Sequence, residues 1–386
     1  MRVLLFTLTL ILSSITIAQE AVLKPRFIKN EMDSLTAISF NSSLQAFFSE
    51  MAQGEINDQW LTADKAALTK SQLQELANYE IHKDSSVTDL QDKQLINLYP
   101  ISANQYFISI SYCREGQDSN PILFYVINLI ATKEKDKFTF SVPLDYFTRY
   151  WKTQTVGNIT YHFRGEIKVG RAKLFDEKNT EIANKMGLSP EKMDFYMCDD
   201  FQEISKLLGF EYSVFSNGKY RDGYGVDSKT IFAIQNNEDF SHDIFHYYSS
   251  QINDRSNRNW VTEEGIAYLW GNAYYTDQEG EMITHERLVE ELKKYLKKNS
   301  EADLYHLFEE NVKLFNDIAP EISVRSTISG IIAKEVEAKH GMDGIMKLIN
   351  AGRKDKVENY LRVTNELLKI NKENFNLKVK ELIDKY

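Results

Sequence analysis

Two histidines four residues apart, His242 and His246, stand in the segment HDIFHYYSSQI. On a helix that spacing turns both imidazoles to one side, where they can grip a single ion. Eighteen residues beyond His246 comes Glu264, in the segment WVTEEGIAYLWG. Two imidazoles and one carboxylate leave one position open on a tetrahedral zinc, the arrangement of catalytic rather than structural sites. Glu264 is the carboxylate that could complete the set.

The order strand (TIFAIQ), helix with H-x-x-x-H, then W-x-x-E-G-x-A resembles the gluzincin zinc metallopeptidases, especially the peptidase-MA-like group. The resemblance spans roughly residues 165–350, including the later segment ISGIIAKEVEAKHG. It implies a zincin-like fold, Zn2+ as cofactor, a peptide or protein substrate, and His242, His246 and Glu264 as metal ligands. Glu263 occupies the family's Asn position and is expected to support the site or face solvent. The family's general base is a Glu, and this chain has Asp243 in its place. An Asp carboxylate ends one C–C bond, about 1.5 Å, short of a Glu carboxylate. Two expectations follow: hydrolysis of peptide bonds by zinc-activated water with Asp243 as catalytic base, or a catalytically impaired zincin-fold binding module. An oxyanion-stabilising group is also expected, and Tyr274, Tyr275 and Arg325 are candidates that the sequence does not separate.

The elements that must position these groups can be traced along the chain. Residues 19–164 read as an α+β unit. Helical segments near Ser43–Met51 and Lys70–Tyr79 precede strands at Gln105–Cys113, Ile122–Ala131, Phe138–Val142 and Thr155–Phe163. Helices followed by an antiparallel meander loosely resemble the NTF2-like cone fold. Residues 165–386 read as the metallopeptidase-like unit. Its expected elements are a helix Asp176–Met186, a strand Lys192–Met197, a helix Asp200–Leu208 and a strand Thr230–Gln235. The two site helices follow, with Asp239 as the expected cap of the first, and then an almost wholly helical C-terminal part. His285, His306 and His340 read as surface or packing residues on charged helices.

Residues 1–18 have a basic start, an apolar stretch Val3–Leu12 and a small-residue cleavage site at Thr16-Ile17-Ala18. That is the pattern of a secretory signal peptide and predicts a periplasmic or extracellular protein without stable membrane insertion. Composition agrees with a globular chain: 386 residues, 42% hydrophobic, 26% charged, net charge −10. The acidic balance speaks against nucleic-acid binding, since no basic excess exists to displace counterions. Two cysteines, Cys113 and Cys198, read as buried free thiols. P-loop, dinucleotide-binding, nucleophile-elbow and EF-hand patterns are absent from the sequence.

Overall fold

The computed structural model describes residues 32–81, 92–115, 120–214, 224–225, 229–234, 237–277, 279–354 and 356–386. The expected leader lies outside the described residues. The chain is mixed α+β and divides into two compact units, 1–149 with 201–221 and 150–200 with 222–386.

The first unit opens with helices α1 (Ser34–Met51) and α2 (Ala66–Ile81). Asp33 caps α1, its carboxylate accepting from Leu35 N and Thr36 N. Strands β1 (Asp92–Pro100), β2 (Gln105–Glu115), β3 (Pro121–Glu134) and β4 (Lys137–Ser141) follow, with a short helix α3 (Leu144–Thr148). All pair antiparallel in sequence order, and their apolar face packs with Phe40, Phe47 and Phe48 of α1 into one core.

The chain then enters the second unit with β5 (Lys152–Val156), β6 (Ile159–Phe163), α4 (Val169–Lys185) and β7 (Met193–Met197). Helix α5 (Phe201–Leu207) and strand β8 (Phe210–Ser213) return to the first unit, where β8 pairs antiparallel with β3. The second sheet is completed by β9 (Tyr224–Gly225) and β10 (Thr230–Ala233), in the order β5-β6-β7-β10-β9. Its inner pairs β6/β7 and β7/β10 are parallel and its edges antiparallel.

These pairings differ from the division expected at residue 164. Residues Thr155–Phe163 form a hairpin with its turn at 157–158, and β6 pairs with β7, so the hairpin belongs to the second unit. The expected helix at Asp200–Leu208 instead lies with the first. Strand partners over long sequence separations decide both placements, which local periodicity does not register.

After β10 come α6 (Ser241–Ile252) and α7 (Trp260–Trp270). A small hairpin β11 (Tyr274–Thr276) and β12 (Met282–Ile283) precedes helices α8 (His285–Lys298), α9 (Leu304–Glu309), α10 (Val324–Ile349), α11 (Lys356–Leu368) and α12 (Phe375–Lys385). One continuous apolar core joins the sheet, α4, α6, α7 and these C-terminal helices. No helix among the described residues is long and apolar enough to cross a membrane. Neither cysteine is in a disulfide; Cys198 is buried, whereas Cys113 is only half-buried.

Candidate metal centre

Helix α6 buries Ser241, Ile244, Phe245, Tyr248 and Ser249, the i, i+3, i+4, i+7, i+8 stripe of an amphipathic helix. Tyr248 ties it to α4, its hydroxyl donating to Asn179 Oδ1 at 2.6 Å. His242 and His246 lie on the stripe next to this buried one, facing α7. Asp239 does not cap α6. The N-cap is Phe240, which has no capping side chain, and Asp239 is engaged elsewhere.

Helix α7 is buried along most of its length. Asn259 caps it by accepting from Thr262 N, and donates to the carbonyls of Gly352 and Lys356. Ser329 Oγ donates to Val261 O at 2.9 Å, and Thr262 Oγ1 to Leu348 O at 2.9 Å, seating α7 on α10. A Cβ at Gly265 would lie 2.4 Å from Ser329 Oγ, so only glycine permits this approach. The Glu-Gly pair thus has a packing reason: Gly265 admits α10, and Glu264 beside it faces α6.

The structure brings His242, His246 and Glu264 together as a group that could hold a metal ion. His246 Nε2 is 3.2 Å from Glu264 Oε1, His242 Nε2 is 3.6 Å from Glu264 Oε2, and the two Nε2 atoms are 3.4 Å apart. Ligand atoms on a tetrahedral ion with bonds of about 2.0–2.1 Å are separated by roughly 3.3–3.4 Å. The imidazole pair stands at that spacing, each imidazole has one Glu264 oxygen near it, and one donor atom from each of the three residues lies within 4.8 Å of the others. Their side chains are between 18 and 23% exposed, partly screened yet reachable from solvent.

The charges respond to this crowding. Burial opposes a positive His246, but the hydrogen bond and charge of Glu264, with Asp243 and Glu263, outweigh it and raise its pKa. Glu264 is the mirror case: burial raises it, while the His246 hydrogen bond and both imidazoles bring its pKa below the ordinary value. Asp243 is pushed up, chiefly by desolvation and further by Glu264 and Asp239, against the lowering influence of the two histidines. No hydrogen bond holds its carboxylate among the described residues.

Several groups surround the three residues, and of these the sequence pointed only to Glu263. Glu263 is buried, accepting from Ser249 Oγ at 2.6 Å and from Arg258 at 3.2 Å, and so ties α7 to α6. Trp260 stacks on His246 at 5.5 Å with planes 7° apart, although its side is 54% exposed. Tyr268 sets its ring edge-on to His242 at 5.6 Å. The backbone carbonyl of Asn272 meets His242 Nδ1 at 3.3 Å. Trp260, Glu263 and Tyr268 ride on α7 with Glu264, and which of them meets α6 depends on how the two helices pack, which no spacing rule fixes.

Of the oxyanion candidates, Arg325 is spent on the carbonyls of Phe308 and Glu309 at the end of α9. Tyr274 packs half-buried against the core, and the side chain of Tyr275 lies outside the described residues. His285 follows the packing alternative. It is buried between Tyr386 OH at 2.8 Å and Thr327 O at 2.9 Å. His306 and His340 are exposed. No protein-family model matches the chain, and no curated protein matches it, so the geometry around His242, His246 and Glu264 carries the functional argument.

Proposed function

We propose that the chain is an exported zinc-dependent peptidase of zincin-like fold, with His242, His246 and Glu264 as ligands and Asp243 as the base. The observation that carries this reading is the convergence of three side chains: the two Nε2 atoms lie 3.4 Å apart, and each faces its own oxygen of Glu264, His246 at 3.2 Å from Oε1 and His242 at 3.6 Å from Oε2. An all-nitrogen-and-oxygen set of two imidazoles and one carboxylate suits zinc and keeps one position for water or substrate. Zinc, when bound, polarises the scissile carbonyl and acidifies the attacking water.

The protein's own groups supply the rest. The Asn272 carbonyl keeps the proton on His242 Nδ1, leaving the Nε2 lone pair for the ion. Asp243, with its raised proton affinity, accepts the proton of the attacking water and returns it to the leaving amine. The exposed Trp260 face beside His246 offers an apolar wall to a substrate side chain. Export rests on the leader-like residues 1–18. In the first unit, two helices ahead of an antiparallel meander support an NTF2-like reading and a role in restricting access or binding a partner.

The short reach of Asp243 favours one second reading, a zincin-type scaffold that binds metal without hydrolysis. A misplacement of about 1 Å costs on the order of a hundredfold in rate. Metal content by mass spectrometry, with turnover on a peptide library for wild type, Asp243→Glu and His246→Ala, separates the two. One zinc per chain with hydrolysis lost in His246→Ala supports the peptidase. Bound zinc with hydrolysis seen only in Asp243→Glu supports the binding module. Wild-type protein that takes up no zinc overturns both.

A further inference from the structure

The segment leading into α6 holds an acid that neither caps the helix nor belongs to the ligand set. Asp239 is 2% exposed. One of its oxygens, Oδ2, accepts from Ser241 Oγ at 2.9 Å and from Asn272 Nδ2 at 2.8 Å. The other, Oδ1, is buried without a hydrogen-bond partner among the described residues. A carboxylate kept in such a place costs stability, which an apolar residue or a satisfied amide would avoid. The Lys178 charge lies near enough to interact with it, and its satisfied oxygen is tied to Asn272.

Asn272 supplies the connection. Its side chain is gripped by Asp239, while its backbone carbonyl meets His242 Nδ1 at 3.3 Å. A carbonyl only accepts, so Nδ1 must carry the hydrogen, and in the neutral imidazole Nε2 then presents its lone pair. Nε2 is the atom that stands 3.4 Å from His246 Nε2 and 3.6 Å from Glu264 Oε2. The loop carrying that carbonyl is fixed on two further sides. Lys178 from α4 donates to Gly271 O, and a Cβ at Gly271 would come within 2.6 Å of Ser241 O, so the loop lies directly against the start of α6.

We propose that Asp239 and Asn272 form a positioning relay, in which Asp239 holds the Asn272 side chain so that the Asn272 carbonyl fixes the tautomer and aim of His242 toward the metal. The inference rests on the reading of His242 as a ligand. Partners behind a ligating imidazole set affinity as well as orientation, and losing one weakens metal binding about 10- to 100-fold. Both act through His242, so both are positioning residues.

Zinc affinity measured by competition with a chromogenic chelator, and the visible absorption of the Co2+-loaded protein, test the relay on the full chain. Asn272→Ala keeps the backbone carbonyl but frees the loop. It is expected to bind Zn2+ about 10- to 100-fold more weakly and to shift the Co2+ bands. Asp239→Ala should do the same, and the double variant should lose no more than the worse single one, since both act through one carbonyl. Asn272→Asp sets two carboxylates face to face; pairing it with Asp239→Asn restores an amide-to-carboxylate bond in the opposite sense and should recover affinity and bands. Wild type that binds zinc while Asn272→Ala and Asn272→Asp bind it equally well overturns the relay alone. Wild type that binds no zinc overturns the relay together with the metal-centre reading. Melting temperatures lowered without any change in affinity or Co2+ spectrum would assign Asp239 to the fold and likewise overturn the relay.

Discussion

Gly265 and Gly330 meet across the contact between α7 and α10: a Cβ on the first would lie 2.8 Å from the amide nitrogen of the second, and a Cβ on the second 2.9 Å from the carbonyl of the first. The helix that carries Glu264 is therefore seated by backbone against backbone. Gly265→Ala must push α7 away from α10. Overpacking of this kind costs about 1–3 kcal/mol, a melting-temperature drop of several degrees. Because Glu264 is the adjacent residue, zinc affinity should fall with it. Thermal melts and zinc titration of the variant check both, and unchanged values in both would refute the packing argument.

Zinc uptake should release a proton at mildly acidic pH. In the metal-free protein His246 has a raised pKa, so its contribution to stability is present below its ordinary 6.5 and is lost as pH rises through the folded value. Glu264 is lowered, so its contribution is present above its ordinary 4.5 and is lost as pH falls through the folded value. Between those limits the pair is charged, and the ion must displace the His246 proton. Affinity should then fall as pH drops below the His246 pKa, by about tenfold per unit for one proton. Calorimetry in buffers of different ionisation enthalpy measures the proton count; a value of zero at mildly acidic pH is incompatible with this account.

The two adjacent acids of α7 should separate cleanly. Glu263→Ala leaves Ser249 and Arg258 without their acceptor and should destabilise the protein by about 1–3 kcal/mol while one zinc per chain remains. Glu264→Gln should keep most of the stability and lose the zinc. Denaturant titration and metal analysis on both variants decide it, and reversed results would exchange the roles assigned to the pair.

Trp260 offers an optical report of the centre. Its indole lies parallel to the His246 ring at 5.5 Å, near enough for the charge on that ring to alter its emission. Zinc binding should change tryptophan fluorescence in the wild type. Trp260→Phe should abolish the change although Trp60, Trp151 and Trp270 remain. A zinc response that survives in Trp260→Phe would place the ion elsewhere.

Much of the candidate centre was legible in the sequence because helical spacing is local. The four-residue interval of His242 and His246 set them on one side of α6, and Glu264 stood out by its place before Gly265. What lay behind them was not legible. Asp239 sits where a helix cap is expected, yet its partner is Asn272, thirty-three residues away. Glu263 looked like a supporting or solvated acid, and only the approach of Ser249 and Arg258 buried it. His285 lies in a charged segment, but α10 and the C-terminal Tyr386 close over it.

The fold divides in the same way. The α+β class, most element positions in both units and the pairing of hairpin neighbours follow from patterns of a few residues, since the side-chain periods of helix and strand are local. The sequence by itself determined which residues could bind an ion and on which helices they ride. The assignment of the 152–163 hairpin to the second sheet and of α5 and β8 to the first unit was decided only in three dimensions. So were the approach of both imidazoles to the Glu264 carboxylate, at 3.2 and 3.6 Å from its two oxygens, and the carbonyl behind His242. Those features arise where segments distant in sequence pack to bury their apolar faces, and no local period encodes which segments will meet.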